Sequence, residues 1–534
     1  MFKHHASSSA ARLKLWSTAP RSCVGLNSRL AQYGESWHPA KLPQQTVTLC
    51  PSILHKISTV TDQRTATEPS ATDFNSLPLS SGMIENLTAL GYTAMTPIQA
   101  QSLPIMLADR DLIAQAKTGS GKTAAFGIAA LTRLNPRSLA TQSLILCPTR
   151  ELADQVAQEL RRLARAIGNI KVLTLGGGVA MNPQVDSLEH GAHIVVGTAG
   201  RIQKHLDKGS LRLDQLNTLV LDEADRMLDM GFFDSISAII KQADLQARVK
   251  RQTLLFSATY PDGIKKIASE FMLDPAQVTI TEQHSNTQIE QRFYEIDPTQ
   301  RFELVAKVLA HYRPESCVAF CFTKQQCQEV TDYLISKGIS AQALNGDLDQ
   351  RDRDEVLTMF ANKSISVLVA TDVAARGLDI AGLDLVINVE LTGEPETHIH
   401  RVGRTGRAGE TGVAISLVAP RESRRAIAIE SLQDTKFQWY PIGELTAQAG
   451  APLQAPMMTI ALSAGRKDKL RAGDILGALT GENGLPASKI GKITIMDMQS
   501  YVAIESGSAK QALKRLTTGK VKGRMIKARL VTLR

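Results

Sequence analysis

The sequence predicts an α/β protein: two consecutive parallel-sheet domains followed by a smaller α+β domain. Three observations predict it. From about Asp73 onward, short apolar runs bounded by polar or turn residues alternate with amphipathic stretches, as buried parallel strands joined by helices require. The alternation pauses at a polar link, residues 281–288, and restarts near Ile289. A second link, residues 441–456, is rich in Ala, Gly, Pro and Gln and precedes a short basic block with its own strand and helix rhythm.

Taken in order, residues 1–72 are rich in Ser, Thr and Ala and show no sustained periodicity. The first 34 residues hold several bases and no acid, a composition shared with organelle transit peptides; we read the segment as an unstructured amino-terminal extension. Residues 73–280 form the first domain, with strands expected at 143–147, 193–197, 218–222 and 252–257. A helix is expected over 150–167, where Leu152, Val156, Leu160 and Leu163 recur at helical spacing. Residues 289–440 form the second domain, with strands at 292–296, 317–322, 366–371, 385–389 and 413–418. Residues 457–534 complete the chain, with strands at 458–462, 492–496, 501–504 and 526–531 and helices near 472–479 and 509–516.

Composition sets limits. A chain of 534 residues is too long for one core. No apolar run approaches the ~18 residues of a membrane span, and the expected location is the cytoplasm. Cys317, Cys321 and Cys327 cluster without supporting histidines and suit buried strand and helix thiols, not zinc ligands; together with Cys23, Cys50 and Cys147 they suggest no disulfide framework, so a reducing compartment is expected. The formal charge is +9, and residues 457–534 carry fifteen Lys or Arg against five acids. A small domain this basic points to a polyanion, and nucleic acid is the expected one.

Two motifs carry the chemistry. Residues 116–123 read AKTGSGKT, a phosphate-binding loop; about a hundred residues later an apolar run ends in Asp222, Glu223, Ala224 and Asp225. Together they make a site for a nucleoside triphosphate and Mg²⁺. Gly119, Ser120 and Gly121 also fit a dinucleotide-binding pattern, but Lys122, Thr123 and the distant acids decide against it. Backbone N–H groups of Thr118, Gly119, Ser120, Gly121, Lys122 and Thr123 would cradle phosphates at a helix start. Lys122 would reach the β and γ phosphates, Thr123 and Asp222 would hold Mg²⁺, and Glu223 would orient and deprotonate the attacking water.

Over about residues 74–420 the ordered motifs resemble the DEAD-box RNA helicases. GYTAMTPIQ at 91–99 resembles that family's adenine-sensing motif. The resemblance implies that Gln99 reads the adenine edge and that Phe74, seventeen residues before Gly91, stacks on the base. PTRELA at 148–153, the Gly177–Gly178 pair and residues 198–201 resemble RNA-backbone contacts, which assigns that role to Pro148, Thr149, Arg150, Gly177, Thr198, Gly200 and Arg201. SAT at 257–259 resembles the family's coupling motif, which implies that role for Ser257 and Thr259. In the second domain FCFTK at 320–324, Gln350 with Arg353, ATDVAARGLDI at 370–380 and HRVGRTGR at 400–407 complete the series. They imply RNA contacts from Gln350, Arg353 and Thr371, a ribose contact from Asp379, and arginine fingers Arg404 and Arg407. Two positions depart from the pattern: Ala199 and Met95 stand where the family usually carries proline.

The last block resembles the bacterial DbpA subfamily of these helicases, through the segments at 467–485, 490–493, 501–504 and 519–530. The implied architecture is two tandem RecA-like domains plus a C-terminal domain resembling an RNA-recognition motif. The implied function is ATP-dependent unwinding of RNA, targeted to a 23S rRNA hairpin near the peptidyl-transferase centre during large-subunit (50S) assembly, by a monomer acting on pre-50S particles. A bacterial subfamily also counts against a transit peptide. An ordinary RNA-recognition motif stacks bases on sheet aromatics; here Tyr501 is the only aromatic after Pro456, so binding is expected to rest on Lys520, Lys522, Arg524 and RNA shape. A DNA-translocating ATPase and a non-enzymatic RNA scaffold are the rival readings. The first is disfavoured by the adenine-sensing and HRVGRTGR motifs, the second by intact Lys122, Asp222, Glu223 and Arg407.

Overall fold

Two seven-stranded sheets share one strand order. In the first, β1 (Leu112–Gln115), β2 (Ser143–Cys147), β3 (Val172–Leu175), β4 (Ile194–Thr198), β5 (Thr218–Leu221), β6 (Gln252–Ser257) and β7 (Ala276–Thr279) lie in the order β3-β4-β2-β5-β6-β1-β7. In the second, β8 (Ile289–Glu295), β9 (Cys317–Cys321), β10 (Ala341–Leu344), β11 (Val367–Thr371), β12 (Leu385–Asn388), β13 (Gly412–Val418) and β14 (Gln438–Trp439) lie in the order β10-β11-β9-β12-β13-β8-β14. Every pairing in both sheets is parallel. These are the tandem RecA-like domains. The structure is a computed structural model and describes residues 72–117, 119–280, 289–375, 382–406, 412–446 and 452–532, all within the unit Thr67–Arg534.

The reason for the architecture is legible in the strands. The central strands β2 and β5 and their counterparts β9 and β12 are buried along their whole length, as continuous apolar runs demand when both faces are covered by helices. The helices between them pack with their apolar stripes inward; Arg150–Leu163 buries Ala153, Val156, Ala157, Leu160 and Leu163. That helix is shorter than the sequence predicts: it tightens into a 3-10 turn, Ala164–Ala166, before Gly168 at φ +69°. β8 begins three residues before the expected 292–296, and apart from the last strand the others expected differ by at most two residues at their ends, where fraying is ordinary. Cys147, Cys317 and Cys321 sit buried on strands and Cys327 on a helix, all as free thiols; Cys23 and Cys50, like the amino-terminal extension, lie outside the described residues.

The third sheet is antiparallel: β15 (Met457–Leu462), β16 (Ile490–Ile495), β17 (Ser500–Glu505) and β18 (Ala528–Leu530), in the order β16-β17-β15-β18. The helices Ala472–Thr480 and Ala509–Thr518 cover one face. β18 is half the length expected, because only Ala528, Arg529 and Leu530 find ladder partners on β15.

Candidate functional site

The carboxyl ends of β1, β6 and β5, three neighbours in the first sheet, bring the chemistry together, the usual place for a ligand in such a sheet. The phosphate-binding loop follows β1, and its Ala116 N–H donates to the Ser257 carbonyl at the end of β6 (3.0 Å). Gly119 and Gly121 adopt left-handed φ of +83° and +94°, and Gly121 caps the helix Lys122–Thr132. No side chain fits at Gly121: a Cβ there would lie 2.6 Å from Gln99 Nε2 and 3.0 Å from Thr96 Oγ1. Lys122 is buried, its ammonium donating to the Ala116 carbonyl (2.6 Å). Ser120 Oγ donates to the Lys117 carbonyl (2.8 Å), and Thr123 is half-buried in the first helical turn.

Gln99 ties the adenine-motif segment to this loop. Its amide oxygen accepts from Thr96 N (2.9 Å) and its Nε2 donates to the Gly121 carbonyl (3.1 Å). A carboxamide has two donors and two acceptor sites, so one of each remains. Phe74 is 3% exposed and packs edge-on to Tyr92, centroids 6.4 Å apart; a base would stack on it only after its neighbours part. Met95 gains where proline would lose, since its N–H donates to the Thr72 carbonyl (2.7 Å). Ala199 occupies the first position of the helix Ala199–Asp207, a site proline favours but does not monopolise.

After β5, Asp222 and Glu223 are buried side by side. Burial, then the neighbouring Glu223 charge, pushes the Asp222 carboxyl up to about 7, against the pull of Lys122. Glu223 sits at φ +50°, a left-handed conformation that costs a non-glycine residue about 1–2 kcal/mol. It turns the side chain toward Arg226, 3.3 Å away. Asp225 holds the coupling loop. Its carboxylate accepts from Ala258 N (3.1 Å), Thr259 N (2.9 Å) and Thr259 Oγ1 (2.9 Å), and its own N–H points to Ser257 Oγ (3.4 Å). The sequence contains Asp225 within its acidic tetrad, but nothing there marks it as the anchor of residues 33 and 34 positions on.

The second domain faces these acids across a cleft lined by Arg226 and Asp229 on one side and Phe320, Asp372, Thr397, His400, Arg401 and Arg404 on the other. Burial, then Arg226, lowers the basicity of His400. Burial would raise Asp225, but facing His400 and the Thr259 bonds bring its carboxyl below the usual range. Arg401 is 1% exposed and grips Asp372 in a two-pronged ion pair (2.6 Å for each bond), with further bonds to Asn388 Oδ1 (3.2 Å) and the Glu390 carbonyl (2.8 Å). Its place in HRVGRTGR hides this: Arg401 is a buried brace, while Arg404 lines the cleft. Thr118, Asp379 and Arg407 lie outside the described residues.

Of the expected RNA contacts, Arg150, Gln350 and Arg353 come together on another part of the same interdomain boundary. Arg150 lies so close to Gly176 and Gly178 that a Cβ at either would meet it at 2.7 and 2.8 Å, and Gln350 of the second domain approaches the same Gly178 position to 3.5 Å. Gly177 and Gly200 face open space. Thr149 caps the following helix by accepting from Leu152 N (3.3 Å), Pro148 is buried beside it, and Thr371 ends β11. Thr198 ends β4 and precedes Arg201. Several of these groups already have protein partners. Arg353 pairs with Glu151 across the boundary (2.7 Å) and donates to the Ala374 carbonyl (2.6 Å); Arg201 donates to Gln184 (3.0 Å) and the Val179 carbonyl (2.8 Å); Gln350 donates to Asp354 (2.7 Å). In the third domain Lys520, Lys522 and Arg524 are exposed on a tight turn with Lys522 at φ +54° and Gly523 at φ +77°. Lys522 pairs with Asp474 (3.4 Å).

Comparison with known proteins agrees with this geometry. Residues 96–267 match the DEAD/DEAH box helicase family, 300–409 the helicase conserved C-terminal domain, and 459–530 the DbpA RNA binding domain. The chain is 50% identical over 456 residues to the ATP-dependent RNA helicase DbpA of Escherichia coli, covering 85% of this chain and 98% of that protein. It is 38% identical over 475 residues to DbpA of Bacillus subtilis, with 85% and 98% covered. Among solved structures, S. cerevisiae Dbp5 bound to RNA and ADP BeF3 is similar, with a TM-score of 0.63, 29% identity, and 70% of this chain and 96% of that one covered. A helicase core of two matched sheets, opposed across a cleft and followed by that RNA-binding domain over nearly the full length of its relatives, places this chain in the DbpA subfamily of DEAD-box ATP-dependent RNA helicases, enzymes that hydrolyse ATP in response to RNA.

Proposed function

We propose that this helicase is targeted to 23S rRNA by its third domain and acts in assembly of the large ribosomal subunit, as a cytoplasmic monomer built of domains at 73–280, 289–440 and 457–534. The observation that supports the catalytic part most directly is the cleft: Lys122, Asp222 and Glu223 stand on the first domain, Arg404 on the second. The loop from Thr118 to Thr123 and Lys122 bind the ATP phosphates, Gln99 and Phe74 the adenine, and Asp379 the ribose. Mg²⁺ fits Thr123 and Asp222: both offer oxygen ligands, and the raised Asp222 carboxyl beside Glu223 is what a divalent cation would relieve. When bound, the ion neutralises phosphate charge. Glu223 takes the proton of the attacking water, while Arg404 and Arg407 stabilise charge on the transferred phosphoryl group. Ser257 and Thr259, held by Asp225, link that event to the cleft.

The core contacts from Pro148, Thr149, Arg150, Gly177, Thr198, Gly200, Arg201, Gln350, Arg353 and Thr371 address RNA backbone and carry no sequence information. Selectivity therefore falls to the third domain, whose Lys520, Lys522 and Arg524 form an exposed basic turn. Crosslinking the protein to RNA in cells tests the target. Reads concentrated on the peptidyl-transferase region of 23S rRNA in pre-50S particles are expected; reads spread over messenger RNA would contradict the reading.

A further inference from the structure

A four-stranded sheet with helices on one face leaves the other face open. Here the part of that second face formed by β15, β17 and β18 is covered by the second RecA-like domain. The strands divide their side chains by the two-residue period of a pleated sheet. On β15, Met458, Ile460 and Leu462 enter the third domain's own core while Thr459 and Ala461 turn to the second domain; on β17, Val502 and Ile504 go inward and Tyr501 outward; on β18, Leu530 goes inward and Arg529 outward. Ala461, Tyr501 and Val531 share one apolar cluster with Val356, Met359 and Phe360 of the helix Gln350–Ala361. Around them Thr459 bonds Asn362 (3.1 Å) and Ser364 (2.7 Å), Met457 N donates to the Lys363 carbonyl (3.3 Å), and Arg529 pairs with Glu355. Tyr501 is 1% exposed and Thr459 is fully buried.

The helix Gln350–Ala361 thus has two clients. Its first turn reaches the first domain, through Arg353 to Glu151 and through Gln350 beside Gly178. From Glu355 to Phe360 it is gripped by the third domain. We propose that the third domain is a clamp on this helix: it stays docked during turnover, spends its sheet face on the second domain rather than on RNA, and sets the position of Gln350 and Arg353 at the cleft. Glu355 and Arg529 are positioning residues in this arrangement. The proposal rests on the third domain being the RNA-targeting module.

Two measurements on the full chain test it, each with 23S rRNA and with an unrelated RNA at saturating concentration. Equal responses to both RNAs would fail the ribosomal target and leave the clamp result readable. In the first, Thr459→Cys with Ser364→Cys is oxidised to lock the docked face. The disulfide is expected to form, and the locked enzyme to keep RNA-stimulated ATP hydrolysis within about twofold of its reduced form, as for a coupling too small to matter. Loss of tenfold or more, restored by reduction, would show that the domain must leave and would overturn the clamp, as would failure of the bond to form. In the second, Arg529→Glu is expected to raise the RNA concentration for half-maximal ATPase by about fivefold or more while RNA affinity without nucleotide holds. Adding Glu355→Arg is expected to restore it. If affinity falls in step with stimulation and the exchange does not rescue, Arg529 is an RNA contact and the clamp is wrong.

Discussion

Glu223, proposed as the base, sits in a strained backbone conformation, at φ +50° between a buried aspartate and Arg226. Strain of this kind persists only when the surroundings over-determine it. Glu223→Gln keeps the shape and removes the proton acceptor. It is expected to bind ATP and RNA yet lose at least ~10²-fold in turnover, read as phosphate release. Near-normal turnover would remove the role given to Glu223. Gly121→Ala tests the loop. The added carbon must fit beside Gln99 Nε2 at φ +94°, so a stability loss of about 1–3 kcal/mol and a large rise in KM for ATP are expected, against a thermal melt and a saturation curve. The residue scale is also where the sequence was least complete. Lys122, Asp222 and Glu223 were visible from local pattern. That Asp225 anchors Thr259, that Arg401 is a buried brace, and that Arg353 pairs with Glu151 were not, because each depends on a partner far away in the chain.

At the scale of elements, the apolar runs of β2, β5, β9 and β12 announced themselves because both faces of each are buried. The edges did not. β7 reads AQVT with one buried residue and β14 is two exposed residues long; neither has a periodicity to find. Tyr501 shows a second blind spot. As the only aromatic of its domain it cannot by itself form a stacking platform, but only the fold reveals that its ring packs against the second domain. Elements are also braced by buried charge. Arg301 and Glu422 pair at 2.7 Å with both side chains almost wholly buried. Removing one partner strands the other, so Glu422→Ala is expected to cost about 3–5 kcal/mol in a denaturant titration. A loss under about 1 kcal/mol, the range of exposed pairs, would mean that water reaches the site.

At the scale of the molecule, two sheets with the same strand order face one cleft, and the proposed reaction needs residues from both halves. Arg404→Ala, changed on the second domain, is expected to lower hydrolysis by roughly 10³-fold while ATP still binds the first. Hydrolysis at the parent rate would separate Arg404 from the reaction. If, as proposed, the third domain adds selectivity through charge, binding of RNA is expected to weaken steeply with salt, as counterion release demands. The most direct measurement compares, in the full chain, RNA-stimulated ATP hydrolysis by a hairpin of the peptidyl-transferase region of 23S rRNA and by an unrelated hairpin of equal length, across a salt titration. The account predicts half-maximal stimulation at a concentration at least tenfold lower for the ribosomal hairpin, about 1.4 kcal/mol of preference, and loss of that preference in the Lys520→Glu, Lys522→Glu, Arg524→Glu variant. Equal stimulation by both hairpins at every salt concentration would contradict it and leave the third domain a general anchor for polyanions.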